Sequence, residues 1–281
     1  MDQLLAIIIL SSILIFVATA AMLTFRFAGF PDLSVDGVFT LGGVVFAKCL
    51  INGFGLFASL VVGASAGLVV GALTAMIADR FRINPLLASV LILTILYSVN
   101  LRVLGTANQP LYQYSDFPHL HGALYSFGLI SLAIIIMLGA YLFFKTEMGS
   151  ALRMTGSSPK FLIAVGRNIS VYRAVLVSAA GVFVSLSGAL LSFHLGFVDV
   201  AIGNGTIIVG IASLIIGEKI CGRERLGAQI GSAAVGIVLY ELAAGVALSL
   251  GISATDVKLA TGIITISLLG LSKRDRDRFL S

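Results

Sequence analysis

Nine stretches of the chain are apolar and nearly free of charge, and most are long enough to cross the hydrocarbon core of a bilayer. They lie at about 3–25, 37–52, 56–78, 84–104, 124–145, 171–193, 203–217, 227–250 and 257–271. Composition agrees, because 58% of the 281 residues are hydrophobic and 11% are charged, which argues against a soluble enzyme. The sequence predicts an all-α polytopic membrane protein of one domain, 1–281, with about nine spans (eight to ten).

Basic residues predict the side of the membrane that each loop faces, because Lys and Arg concentrate in cytoplasmic loops. If the tail 272–281 is cytoplasmic, alternation of nine spans places all 18 basic residues there except Lys48, Arg102 and Lys258. The loop 105–122 on the opposite side contains no Lys or Arg. We therefore expect the N-terminus outside and the C-terminus inside.

A four-residue element occurs twice, 167 positions apart, as Gly29-Phe30-Pro31-Asp32 and Gly196-Phe197-Val198-Asp199. A short apolar stretch containing Gly follows each copy, at 37–52 and 203–217. Such paired short segments are typical of transporters built from structural repeats. An odd number of spans inverts spans 1–4 relative to spans 6–9. The sequence thus predicts inverted repeats at 1–104 and 171–271, joined by a connector at 105–170. The two short segments either cross a locally thinned bilayer or form half-helices buried inside the bundle.

The longest hydrophilic stretch between spans is the loop 146–171. Its pattern predicts a short helix from Gly149 to Thr155, a sharp corner at Gly156, and a second helix that starts at Pro159 and ends at Gly166. Two interpretations remain open at this point. The loop is either an amphipathic linker lying on anionic lipid or a docking element for a soluble partner.

Five segments carry a family resemblance, in the same order and over nearly the whole chain. They are Phe30 to Gly42, Ile83 to Ala88, Leu96 to Arg102, Gly149 to Gly156, and Gly210 to Glu218. With these segments the chain resembles the integral-membrane permeases of ABC importers in the branched-chain amino acid and ribose group. Within that group it is most similar to the permeases of tryptophan/tyrosine uptake systems.

The resemblance implies a permease subunit in the bacterial plasma (inner) membrane. Such a subunit forms a homodimer, binds two ATP-binding subunits and receives its solute from an extracytoplasmic binding protein or lipoprotein. The implied solute is an amino acid, including an aromatic one, with sugars and nucleosides left open. The resemblance also makes the central loop the coupling element to the ATPase, through Leu152, Arg153, Gly156, Pro159, Phe161 and Gly166. Ser157 and Ser158 stand where family members commonly carry an acidic or amide residue.

Several motifs are missing from the sequence. No Gly-x-x-x-x-Gly-Lys-Ser/Thr occurs, so we expect no cofactor and no enzyme activity in this chain, with ATP and Mg²⁺ bound by a partner ATPase. His119 and His121 lack the neighbouring ligands of a metal site. Lipid is an expected partner, and nucleic acid is not. The alternative function is a self-sufficient secondary transporter or channel, which the docking-type loop and the scarcity of acidic residues disfavour.

Polar residues in or beside the spans are candidates for the translocation pathway, because polar groups in hydrocarbon are costly and usually face a cavity or partner. The candidates are Ser34, Asp36, Asn100, Arg102, Asn204 and Glu241. Helix capping is the alternative role for Ser34, Asp36 and Asn204. Arg102 could instead extend to the headgroups or pair with Glu241. The small residues Ser59, Gly63, Gly67, Gly71 and Ala75 on span 3 predict close helix packing, within one chain or between two.

Overall fold

Helices form at eight of the nine predicted spans in the computed structural model, which describes residues 2–112 and 123–249 together with residue 262. A π-helical segment, Met22–Ala28, continues the first helix. The elements in chain order are α1 (Asp2–Ala21), the π-helical segment, α2 (Val35–Ile51), α3 (Leu56–Phe81), α4 (Pro85–Leu104), β1 (Asn108–Pro110), α5 (Ala123–Lys145), α6 (Glu147–Ser157), α7 (Pro159–Ala164), α8 (Ile169–Leu195), β2 (Phe197–Asp199), α9 (Thr206–Cys221) and α10 (Leu226–Ser249).

Six of the described helices are long and apolar enough to cross a membrane, which makes the chain a multi-pass membrane protein. These helices are Leu4–Ala28, Leu56–Phe81, Pro85–Leu104, Tyr125–Lys145, Ile169–Leu195 and Leu226–Ser249. The helices α2 and α9 are shorter, with 17 and 16 residues, and correspond to the two short predicted segments. The ninth predicted span, apart from residue 262, lies outside the described residues. So do the tail 272–281 and the two histidines at 119 and 121.

Local sequence explains where several helices begin and end. Asn84 caps α4 by accepting a hydrogen bond from the Leu86 N–H at 2.9 Å, and Pro85 follows at the first helical position. Asn168 caps α8 in the same way through the Ser170 N–H at 3.0 Å. Gly105 ends α4 in the left-handed conformation, with a φ of 83°, which a glycine adopts without strain.

Glycines allow the central helices to pack with their backbones almost in contact. A Cβ on Gly67 of α3 would overlap the carbonyl oxygen of Gly181 on α8, and a Cβ on Gly181 would overlap the carbonyl oxygen of Gly67. The Ser185 hydroxyl donates a hydrogen bond of 2.7 Å to the Gly63 carbonyl across the same interface. The row of small residues on span 3 therefore packs within the chain, against α8.

The bundle has two distinct ends. We define the basic end as the end of the bundle that holds the last residues of the π-helical segment, α3, α5 and α9. At this end, Arg173 of α8 pairs with Asp79 of α3 at 2.7 Å. At the opposite end, β1 and β2 pair antiparallel, with Asn108 facing Asp199. Between these ends, α1 packs on α8, α9 and α10, while α8 also packs on α2 and α3; α4 lies outside this group against α2.

Candidate functional site

The loop between α5 and α8 forms two helices, α6 and α7, that lie on the basic end of the bundle. Thr146 caps α6 by accepting a hydrogen bond from the Gly149 N–H at 3.2 Å. Leu152 of α6 and Leu162 of α7 point inward and are 1% and 3% exposed. The α6 helix packs against the π-helical segment, α5 and α8. The inner side of the loop is thereby fixed to the membrane bundle.

The predicted corner at Gly156 is wrong, because α6 continues through Gly156 to Ser157. The break falls at Ser158, which has φ −144° and ψ 62°. The cause is Pro159, since the residue before a proline is disfavoured in the helical conformation. Gly156 has a different role: a Cβ there would lie 2.9 Å from both the Arg26 carbonyl oxygen and the Gly29 nitrogen. Gly166 follows α7 with a φ of 76°, in the left-handed conformation expected of a helix-ending glycine.

Four large apolar side chains of the loop are exposed. We call this set the loop patch, and it consists of Met148, Phe161, Ile163 and Val165, whose exposed fractions lie between 56% and 64%. The predicted coupling residue Phe161 belongs to this patch, whereas Leu152 belongs to the buried side. Lys160 and Arg167 are exposed near it, and Arg153 is half-buried. An exposed apolar patch with a basic rim is typical of an interaction surface.

A charged cluster that the sequence did not predict lies beneath α6. Arg26 of the π-helical segment donates a hydrogen bond of 2.6 Å to one carboxylate oxygen of Glu218 on α9, and Arg223 approaches the other oxygen at 2.7 Å. Glu218 is only 5% exposed, so two guanidinium groups compensate its buried charge. Residues 26 and 218 are far apart in sequence, and no spacing rule connects them.

A cavity of about 270 Å³ separates this cluster from α6. Arg153 of α6 and Gln229 of α10 line it together with Arg26. The predicted coupling residue Arg153 therefore faces the interior junction between the loop, the π-helical segment and α10 rather than the loop patch.

The chain between the π-helical segment and α2 is held by Asp32. This carboxylate accepts hydrogen bonds from the Ser34 N–H at 2.9 Å and from the Ser34 hydroxyl at 2.6 Å. Burial raises the pKa of the Asp32 carboxyl above its ordinary value, and the two Ser34 hydrogen bonds oppose that rise. Ser34 is fully buried, and because its hydroxyl donates to Asp32 it makes no side-chain capping bond to α2.

Asp36, in the first turn of α2, caps the N-terminus of α9. Its carboxylate accepts hydrogen bonds from the N–H groups of Gly205 and Ile207, both at 2.8 Å, and from the Thr206 hydroxyl at 2.9 Å. The Gly203 N–H donates to the Thr40 hydroxyl at 3.2 Å beside it. The start of α9 therefore already holds a carboxylate that comes from the other half of the chain.

Asn100 and Asn204 lie near the same junction. The Asn100 side chain is 1% exposed and donates a hydrogen bond of 3.1 Å to the Gly37 carbonyl, which fixes α4 to the first turn of α2. Asn204 is exposed in the turn before α9, between two glycines that bond to α2. Ser34, Asp36, Asn100 and Asn204 thus gather where α2 and α9 begin.

The ion pair considered as one alternative for Arg102 and Glu241 is absent among the described residues. Arg102 is exposed on α4, which packs on α2 and α3, whereas Glu241 is half-buried on α10, which packs on α1, α5 and α9. Among the described residues no ion pair includes either side chain. The same residues contain no group of three or more side chains that could hold a metal ion.

Comparison with known sequences assigns the chain to a protein family. Residues 3–271 match the family described as the permease component of the branched-chain amino acid transport system. The chain belongs to this permease family. The predicted resemblance is thereby confirmed, and the protein is a transport permease.

The relatives of the permease include two proteins that are named as permeases for different solutes. It is 32% identical to a tyrosine transport system permease protein of Clostridioides difficile, over 96% of this chain and 91% of the relative. It is 26% identical to a fructose import permease protein of Bifidobacterium longum, over 92% and 74% of the two chains. An uncharacterized protein of Rickettsia prowazekii is 29% identical over 90% and 91%. No solved structure matches the permease.

Proposed function

We propose that the permease is the transmembrane subunit of an ATP-driven ABC importer in a bacterial plasma membrane. Two copies would form the transmembrane unit, two ATP-binding subunits would dock at the basic end, and an extracytoplasmic binding protein or lipoprotein would deliver solute to the opposite end. The concentration of Lys and Arg at the basic end supports its cytoplasmic location. ATP and Mg²⁺ are bound in this proposal by the partner ATPase.

The observation that carries the proposal is the two-sided construction of α6 and α7. The loop patch presents Phe161, Ile163 and Val165 to the outside, while Leu152 and Leu162 anchor the other side to the bundle. Because these side chains are exposed, they are available to a soluble protein. A linker lying on lipid would place the same side chains among the headgroups, and loss of ATPase capture on substitution of Phe161 distinguishes the two.

Contacts beneath the loop give a route from ATPase movement to the membrane helices. Gly156 of α6 touches Gly29 at the end of the π-helical segment. Arg26 of that segment holds Glu218 at the end of α9. A displacement of α6 would therefore act on α1 and α9 together, and alternating access requires such joint movement of the two halves.

Helix packing supports the proposed inverted repeat. The first helix of one half, α1, packs on α9 and α10, and the first helix of the other half, α8, packs on α2 and α3. Exchange of the two halves reproduces this pattern. In this proposal the breaks at Gly29 and Gly196 are equivalent points of the two repeats and lie near opposite membrane faces.

An amino acid is the proposed solute class, and the similarity to a tyrosine permease favours an aromatic one. The test is uptake by proteoliposomes that contain the permease and its proposed ATP-binding partner, supplied with the proposed binding protein. Labelled tyrosine, leucine and fructose are compared, with an ATPase variant that lacks the P-loop lysine as the control. We expect ATP-dependent uptake of tyrosine that requires all three components. Uptake by the permease alone, driven by an ion gradient, would identify a secondary transporter instead.

A further inference from the structure

One exposed face of α4 carries a series of polar residues between the middle of the helix and Leu104. Leu91 and Leu101, which are 50% and 39% exposed, lie beside this series. Thr94, Ser98 and Arg102 follow one another at intervals of four residues and so share a face, and all three are exposed. Tyr97 lies beside them with 57% exposure. Since a helix rises 1.5 Å per residue, Thr94 lies about 15 Å from the end of α4, near the middle of the span.

Exposed faces of other spanning helices are different. On α5 the exposed positions include Ile134, Ile135, Leu138 and Leu142. Hydroxyl side chains on both faces bond to their own helix: Ser131 of α5 donates to the Gly128 carbonyl at 2.9 Å, and Thr94 of α4 donates to the Val90 carbonyl at 3.0 Å. What distinguishes α4 is the repetition of polar residues on three successive turns. The series ends in a guanidinium with no ion pair among the described residues.

The orientation of this face is fixed by contacts on the other side of α4. Leu96 packs so closely on Gly37 that a Cβ on the glycine would lie 2.9 Å from it. Asn100 donates to the Gly37 carbonyl from the same side. Rotation of α4 to bury its polar face would break both contacts. Because polar side chains that face hydrocarbon are costly, the face is expected to meet water or protein in the assembled transporter.

We propose that this face of α4 lines the solute pathway and that Arg102 and Tyr97 contact a solute carrying a carboxylate and an aromatic side chain. The proposal rests on the importer function given above. A guanidinium binds a carboxylate through two parallel hydrogen bonds, and a tyrosine ring packs on another aromatic ring. Ser98 and Thr94 continue the polar surface from Arg102 toward the middle of the membrane. The second copy of the chain would close the pathway opposite α4.

Cysteine accessibility in the reconstituted complex tests the placement. The background carries Cys49→Ser and Cys221→Ser, and single cysteines are introduced as Thr94→Cys and Ser98→Cys. Matched controls are Ile134→Cys and Leu138→Cys on the apolar exposed face of α5. A membrane-impermeant methanethiosulfonate reagent is added to the outside, because it reacts with the thiolate, which forms in water and not in hydrocarbon. Each variant is first checked for complex assembly and ATP-dependent uptake.

We expect labelling at positions 94 and 98 and none at positions 134 and 138. If Arg102 merely extends to the headgroups, position 94 will stay unlabelled, and that result overturns the pathway placement. Equal labelling at positions 94 and 134 overturns it as well. Either result, obtained on a complex with normal ATP-dependent tyrosine uptake, leaves the importer function intact. Absence of ATP-dependent uptake in wild-type complexes would instead count against the importer function itself.

The solute chemistry has its own test. Loss of a hydrogen bond to a charged group implies that Arg102→Gln should raise the KM for tyrosine by roughly tenfold or more. Arg102→Lys, which keeps the charge, should recover part of the loss. Tyrosine delivered by the binding protein should slow labelling of Ser98→Cys, and Arg102→Gln should abolish this protection. An Arg102→Gln complex with wild-type KM and wild-type protection would refute contact between Arg102 and the solute.

Discussion

The two Gly-Phe-x-Asp elements share their local geometry but differ in what they contact. Gly29 and Gly196 each end a helix in the left-handed conformation, with φ of 59° and 71°. Each following aspartate accepts a hydrogen bond from the N–H two residues on, Asp32 from Ser34 at 2.9 Å and Asp199 from Ala201 at 2.7 Å. The first element packs against α6 at the basic end, and the second pairs as β2 with β1 at the opposite end.

The difference shows how one turn motif can support two tasks. At the basic end the motif receives the loop proposed to bind the ATPase. At the opposite end it is held by a short strand. The helices that follow are also unequal, because Asp36 of the first half caps α9 of the second half, while Ser34 at the start of α2 makes no side-chain capping bond. The halves are therefore joined through Asp36.

Removal of the Asp36 carboxylate should have the largest effect on stability. Asp36→Ala leaves the N–H groups of Gly205 and Ile207 without their acceptor, and we expect a loss of about 2–4 kcal/mol in the free energy of unfolding. Asp36→Asn retains one oxygen acceptor and should lose less. The measurement is denaturant unfolding of the purified protein in detergent micelles. Wild-type stability of Asp36→Ala would show that the cap does not join the halves.

Gly29 should tolerate alanine less well than a glycine with the same backbone conformation and open surroundings. Gly105 is the matched control, because its φ is 83° and no atom lies within 4 Å of a Cβ there. A left-handed alanine costs about 1–2 kcal/mol, so Gly105→Ala should lose that amount. Gly29→Ala should lose more, since its Cβ would also press on the Gly156 Cα at 3.3 Å. Equal shifts of Tm for the two variants would contradict the packing of α6 on this element.

The stability losses of Asp32→Ala and Asp199→Ala should differ from each other by a smaller amount. Asp32 is 4% exposed and bonded twice to Ser34, whereas Asp199 is half-buried. Loss of a buried carboxyl group that accepts two hydrogen bonds predicts a cost of roughly 1–3 kcal/mol for Asp32→Ala, and the partial exposure of Asp199 predicts under about 1 kcal/mol for Asp199→Ala. Thermal unfolding in the same detergent compares them. The reverse order would mean that the strand contact matters more than burial.

The sequence was sufficient for features that depend on local chemistry. Apolar length located eight helices, and the predicted start of α7 at Pro159 and the left-handed glycine after it, Gly166, are both present. Contacts between distant segments were not accessible in this way. The Asp36 cap joins residues about 170 positions apart, and the Arg26–Glu218 pair joins residues 192 positions apart. Gly156 was assigned to a corner because its close contact with Gly29 depends on the tertiary fold.

The contact between Gly156 and Gly29 also decides which substitution in the loop can test docking of the ATPase. A side chain at Gly156 would disturb the packing on Gly29 as well as any docking, so its effect on partner binding would be ambiguous. Phe161 is 56% exposed and belongs to the loop patch, and a substitution there leaves the buried side of the loop unchanged. Phe81 at the end of α3 is 70% exposed at the same end of the bundle and serves as the control.

The most direct test of docking is capture of the proposed ATP-binding partner by Phe161→Asp and Phe81→Asp permeases in detergent. Burial of a phenylalanine contributes up to about 3 kcal/mol, so its loss should weaken binding by more than tenfold. We predict that Phe161→Asp captures little ATPase while Phe81→Asp captures the wild-type amount, with both variants retaining wild-type thermal stability. Wild-type capture by Phe161→Asp would contradict docking through the loop patch.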